Sequence, residues 1–381
     1  MCRTLARQAT QEALFIVPGG LCTWLQQTAR PSWSVPIDLG GDFERAEPAG
    51  WLAVGLDGGF LQPPSAIRKG LQTSPQATLR VSRTKMSRSV GGARVPIDLG
   101  TEGKRPHWRL VPPVHVMPAL EPAPLSRPGI PDFSHVTLGP ALVYGAQRIP
   151  QRIVPTPASL RHKCERAFQV LQESWREGAS TVACLTTRII PLKARGVVSF
   201  SYRHRPGLSF LNCFDRDDLD LVDDLVHENS HHHLNLLLRK AALIKGEHNE
   251  ERFYSPWRRS LRPLRGILHA TFTFTMGAIL FDRLAASDAL RSSDVMRARF
   301  RCLEEVDSVH YSLDDLDVAA RSLGWLTKHG AALAASLRKE IRAVKKHAAR
   351  YERGVLASRH GPELRRHRQE LRMARQTYGG V

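Results

Sequence analysis

The chain has six cysteines, Cys2, Cys22, Cys164, Cys184, Cys213 and Cys302, and none of them forms a C-x-x-C pair. That absence excludes a zinc ribbon and a disulfide-framed secreted scaffold, and it fits a reduced, cytoplasmic setting. No stretch reads as long and apolar enough to span a bilayer. Residues 13–25 are mildly apolar behind Arg3 and Arg7. They contain Pro18-Gly19-Gly20 and lack a small-residue cleavage site, so they do not read as a signal peptide. No nucleic-acid-binding motif accompanies the formal net charge of +19, which argues against nucleic acid as a partner.

Residues 1–135 lack sustained periodicity and are rich in Pro, Gly and Ser. VPIDLG occurs twice there, at residues 35–40 and 95–100, too few copies for a solenoid. Met86 and Met117 are alternative starts. The positive charge is unevenly placed: residues 151–330 carry 26 Lys and Arg against 22 Asp and Glu, whereas residues 331–381 carry 13 against four. A basic run of this kind is usually a solvated face, and it also suits an acidic leader peptide.

What the chain does have is H-E-x-x-H, in His227-Glu228-Asn229-Ser230-His231. Residues four apart share a helix face, so His227 and His231 can bind one metal ion, with Glu228 beside them. The surrounding run, residues 215–244, reads as a long helix. Leu221, Leu225, Leu234, Leu237 and Leu238 recur at helical spacing, Asp215, Asp217, Asp218 and Asp220 stand at the front, Arg239 and Lys240 at the back, and Gly246 is the expected stop. His232 and His233 extend the motif to three histidines, for which a histidine-rich surface patch is the plainer reading.

Before this helix, residues 196–213 place two β-leaning runs either side of Arg205-Pro206-Gly207, a hairpin signal. After it, residues 256–265 carry four arginines beside Trp257 and two prolines. Residues 271–284 then form an apolar run read as a second buried helix, with His269 in its first turn. His269 is the candidate third ligand, and Glu304 and Glu305 are the other candidates. Elsewhere, residues 160–179 suggest an amphipathic helix, 181–192 a strand, and 288–323 one or two helices with a start at Asp314. Residues 337–375 suggest a basic helix or a pair broken at Gly361-Pro362.

LVHENSHHHLNLLL together with YSPWRRSLRPLRGILHATFTF resembles the HEXXH-motif family of peptide-modification proteins, over residues 196–284. The resemblance implies an iron(II)- and 2-oxoglutarate-dependent β-hydroxylase of ribosomally made peptides. It implies His227 and His231 as metal ligands with His269 the third, and Glu228 as a catalytic residue that orients a ligand. It also implies a substrate peptide with a leader segment, and a radical-SAM maturase encoded nearby. A three-histidine set departs from the usual two-His, one-carboxylate iron triad. Chemistry rather than the family pattern points to Arg258 or Arg262 for the distal carboxylate of 2-oxoglutarate, because guanidinium forks grip carboxylates at two points. The second reading is a zinc metallopeptidase with Glu228 as general base, and the third is a non-catalytic histidine-rich binding protein.

The expected fold class is α+β: a mainly helical metal-binding core, a small β-hairpin or sheet beside the H-E-x-x-H helix, and an irregular N-terminal region. Three segments are expected. Residues 1–135 are largely irregular or disordered, 136–330 form the catalytic domain, and 331–381 form a basic helical tail.

Overall fold

The computed structural model describes residues 133–379 apart from 134–135, 140, 146–149, 202 and 204–206. Before residue 133 it describes the backbone of eight short strands, the first Ser32–Asp38 and the last Val114–His115. The rest of the expected irregular region lies outside the described residues. The VPI of both copies falls on strands, Ser32–Asp38 and Ala93–Ile97, the two edges of one four-stranded sheet. A start at Met86 would remove two of its four strands.

The fold is α+β and mostly helical. It divides into two compact units, one of residues 1–167 and 180–221, the other of 168–179 and 222–381. After residue 133, the strands of the first unit are β1 (Thr137–Leu138), β2 (Ala141–Tyr144), β3 (Pro150–Val154), β4 (Arg188–Lys193), β5 (Phe200–Ser201) and β6 (Leu208–Asn212). They hydrogen-bond in the order β3-β2-β4-β6-β5, and β1 also pairs with β4. The β2–β4 and β4–β6 pairs are parallel. β4 and β6 are buried almost throughout, as central parallel strands should be. Leu142, Ile190, Leu192, Leu208 and Phe210 form the sheet's core.

The expected hairpin is β5–β6, in register Phe200 to Phe210 and Ser201 to Ser209, with the two Phe rings stacked at 4.6 Å. Gly207, at φ +81°, closes its turn. Asn212 then fixes the exit from β6. Its side-chain amide donates to the carbonyls of Ala194 and Val197, and its Oδ1 accepts from the Phe214 backbone N–H.

Helices α1 (Ala158–Ser174) and α2 (Arg176–Leu185) lie between β3 and β4 in sequence. The single helix expected over residues 160–179 breaks at Trp175, and the strand expected over 181–192 begins only at Arg188. Thr181 and Val182 are β-leaning, but Ala179, Val182, Ala183 and Thr186 recur at helical spacing and are buried. Burial on a helix face overrides local preference there.

Helix α3 (Asp218–Lys240) carries the H-E-x-x-H motif at its middle. Asp217 caps it, its Oδ1 accepting from the Asp220 N–H at 3.0 Å, with Asp218 and Asp220 in the first turn and Arg239 and Lys240 in the last. The helix ends at Lys240, six residues before Gly246, whose φ of +71° belongs to a later turn.

The second unit continues with a hairpin, β7 (Phe253–Ser255) and β8 (Ser260–Arg262), and four helices. These are α4 (Leu264–Ala285), α5 (Ser292–Arg321), α6 (Lys328–Ala357) and α7 (Gly361–Tyr378). Helix α4 packs on α5 and α6, and α7 on α5 and α6. By length and composition α4 is apolar enough to cross a membrane, which corrects the reading that no stretch is. Most of it is buried inside the protein, as a bundle's central helix must be. Its threonines hide their hydroxyls by bonding back along the helix: Thr271 Oγ1 donates to the Ile267 carbonyl and Thr275 Oγ1 to that of Thr271.

Helix α5 is one continuous helix, and Asp314 lies well inside it rather than at a start. Its acids are taken up by arginines of the next helices. Arg338 bonds Asp314 and Asp317, and Arg368 bonds Asp307. The basic segment is thus built into the bundle.

Two glycines on α6 test this packing. A Cβ at Gly330 would stand 2.0 Å from the Leu243 carbonyl oxygen, whereas one at exposed Gly354 would meet nothing. Gly330→Ala is expected to destabilise the protein by about 1–3 kcal/mol through backbone overpacking. Gly354→Ala is expected to stabilise it by about 0.5–1 kcal/mol through helix propensity. Urea denaturation of both variants checks the pair of opposite signs.

Candidate metal centre

Helix α3 sets His227 and His231 one turn apart, with ring centroids 4.9 Å apart. One ligand atom each from His227, Glu228 and His231 lies within 4.8 Å of the others. Glu228 is buried. Across from them, α4 brings the His269 ring to 6.1 Å from that of His231. An imidazole binding a metal at about 2.1 Å has its ring centre roughly 3.2 Å away, so two ligating rings lie at most roughly 6.4 Å apart. Both ring pairs fall inside that limit. The ligand atoms of His227, Glu228 and His231 therefore fit a single metal ion of the kind imidazole and carboxylate take, zinc or iron(II), with the His269 ring alongside.

Electrostatics favour the same use. Burial pushes His227 down to about 4, assisted by Arg301 and Arg258 and opposed by Asp224. Burial, with His227, His269 and His232 nearby, pushes His231 down to about 2. Both rings are thus neutral at physiological pH, with lone pairs available to a metal. His232 is fully buried and pushed down to about 4, and burial lowers His233, which sits edge-on to Phe272. The three histidines are therefore not a surface patch.

The hairpin β7–β8 closes one side. Its turn is pinned by the Arg259 N–H donating to the Ser255 carbonyl, with Arg259 at φ +52°. At the turn, Trp257 stacks on Phe274 of α4 at 4.2 Å, and Phe274 meets the His227 ring edge-on at 4.9 Å. Trp257 Nε1 donates to Glu305 Oε2 at 2.8 Å, and Arg301 Nη2 donates to Glu305 Oε1 at 2.9 Å. Arg301 also pairs with Asp223, one turn before His227, and with Glu304. Burial pushes Glu305 up to about 7 against the pull of Arg301.

The sequence candidates separate accordingly. His227, Glu228 and His231 come together, with the His269 ring beside them. Glu304 and Glu305 are engaged by Arg301 and Trp257, as braces behind the histidines. Arg258 is exposed yet acts electrostatically on His227. Arg262 instead lies along Gly266 and is not among the cations acting on His227. Phe274, Arg301 and Asp223 are the neighbours that sequence reasoning missed. Only Asp223, four residues before His227, and the Arg301–Glu305 pair carry a readable signal, helical spacing.

No protein-family model matches the chain, and no curated protein matches it.

Two substitutions separate bracing from ligation. Trp257→Phe keeps an aromatic face against Phe274 but leaves Glu305 Oε2 without its donor, an expected cost of about 1–3 kcal/mol in urea denaturation. His227→Ala and His231→Ala should each abolish stoichiometric metal uptake, read by elemental analysis after dialysis against zinc or anaerobic iron(II).

Proposed function

We propose that this protein is a metal-dependent enzyme that modifies peptides, and that it is an iron(II)- and 2-oxoglutarate-dependent oxygenase hydroxylating a side-chain carbon of a ribosomally made peptide. The observation that carries the proposal is the pair of neutral α3 imidazoles, His227 and His231, set around the Glu228 carboxylate, with the His269 ring of α4 beside them. His227, His231 and His269 would hold the metal through their lone pairs. Bound iron(II) supplies oxygen activation driven by decarboxylation of the oxo acid. Arg258, free at the surface yet within electrostatic reach of His227, supports binding of the distal carboxylate of 2-oxoglutarate. Phe274 and Trp257 form an apolar wall that keeps water from one side of the histidines. Glu228 accepts hydrogen bonds from groups held at the centre and so orients them. The substrate peptide, its leader, a radical-SAM maturase and a reducing cytoplasmic setting belong to the same proposal. Four cysteines among the described residues, none in a disulfide, support the setting.

One observation favours a second reading, a zinc metallopeptidase. Glu228 stands where a general base for peptide hydrolysis would, its carboxylate within 4.8 Å of both histidine ligand atoms.

The full-length protein, loaded anaerobically with iron(II) and then given 2-oxoglutarate, peptide and O2, is expected to release succinate and CO2 and add about 16 Da to the peptide. Arg258→Ala should raise the KM for 2-oxoglutarate by roughly tenfold or more, and Arg262→Ala by much less. Zinc-dependent cleavage without the oxo acid, abolished in Glu228→Gln, would establish the peptidase instead. Full biological activity in His227→Ala and His231→Ala would leave a binding protein without catalysis.

A further inference from the structure

Several arginines of the second unit are tied to carboxylates. Arg301, Arg338, Arg368 and Arg375 each meet at least one carboxylate. On α6, however, Lys339, Arg342, Lys345, Lys346 and Arg353 are exposed and form no ion pair among the described residues. At 100° per residue these five, with exposed Arg350, occupy an arc of about 140° opposite the buried face of Leu337, Ile341, Val344 and Ala348. Ala349 lies between them, Arg338 falls within the arc but pairs with Asp314 and Asp317, and neither Glu340 nor Glu352 falls within it.

Like charges three or four residues apart on a helix oppose its formation, so a face of one sign carries a cost that a mixed face does not. Here Lys339–Arg342, Arg342–Lys345, Arg342–Lys346, Lys346–Arg350 and Arg350–Arg353 are all such pairs. The fold gains nothing from them, whereas an anionic ligand would relieve every one. The arc runs about 21 Å along the helix, the length of roughly six residues of extended chain. Acidic residues at alternate positions of an extended peptide recur about every 6.7 Å, close to the cation spacing of about 4.5–6 Å along α6. The arc offers no aromatic ring on which a base would stack and no amide side chain to read a base edge.

We propose that this face of α6 binds an acidic, extended segment of the substrate peptide. The proposal rests on the reading of the protein as a peptide-modifying enzyme and adds how the peptide is recruited. Its ligand is a carboxylate-rich chain held outside the metal centre by charge.

The test is fluorescence anisotropy of the full-length protein with a labelled peptide of roughly twelve residues alternating Glu and Ser, in about 0.1 M salt. A DNA duplex of similar length and anionic vesicles serve as rival probes. The variant K339Q/R342Q/K346Q/R353Q is compared with R321Q/R359Q/R365Q/R372Q, which loses the same charge elsewhere. The arc variant should lose roughly tenfold or more in peptide affinity and the control less than about threefold, with metal uptake unchanged in both. Equal losses in the two variants, no peptide binding by the parent protein, or tighter arc-dependent binding of duplex or vesicles would each overturn the proposal. Metal uptake keeps the two readings apart. Absence of peptide binding by the parent protein with intact metal uptake removes this proposal alone, and absent oxo-acid turnover with intact peptide binding removes only the catalytic one.

Discussion

Burying an ionisable carboxylate is costly unless its oxygens are bonded, and each bond that offsets the cost fixes another part of the structure. Glu305, on α5, is nearly fully buried and gripped on both oxygens. Trp257 comes from the β7–β8 hairpin, so the hairpin turn is fixed to α5. Arg301, one turn before Glu305, reaches on to Asp223 and so fixes α5 to α3. Trp257 also stacks on Phe274, which leans on His227, so α4 joins the same set. The histidines are thereby held by contacts from three helices and a hairpin. That rigidity is what a metal centre requires of the groups around its ligands.

The same burial sets the chemistry. Removing His227 and His231 from water disfavours their protonated forms, so the fold supplies neutral imidazoles before any metal arrives. Helix α4 can be this deeply buried because its threonine hydroxyls are satisfied along the helix itself. Charge is segregated accordingly. Arg375 meets Asp315 and the Tyr311 carbonyl, and Arg338 and Arg368 meet other α5 acids, whereas the exposed cations on one face of α6 form no ion pair among the described residues.

Much of this was legible in the sequence. The capped helix around H-E-x-x-H, the hairpin before it and the apolar helix bearing His269 follow from periodicity, turn chemistry and capping, which are local properties. His269 falls in the second turn rather than the first, because α4 starts at Leu264, directly after Pro263. The first part of the strand expected over residues 181–192, which is helical up to Leu185, and the helix start at Asp314 failed for one reason: long-range burial and ion pairing outweigh local preference. An aspartate that looks like a cap in isolation is the partner of Arg338 in the fold. The Trp257–Glu305 bond joins residues 48 apart, and no spacing rule finds such a pair. The separation of Arg258 from Arg262 likewise depends on the hairpin turn between them and not on their similar surroundings in sequence.

The central claim is that α3 and α4 hold one metal ion through imidazoles. X-ray absorption spectroscopy of the full-length protein loaded anaerobically with iron(II) tests it most directly. The account predicts a first shell with nitrogen at about 2.0–2.2 Å and the outer-shell scattering of imidazole rings, diminished in His269→Ala. A shell of oxygen alone, without imidazole scattering, would contradict it.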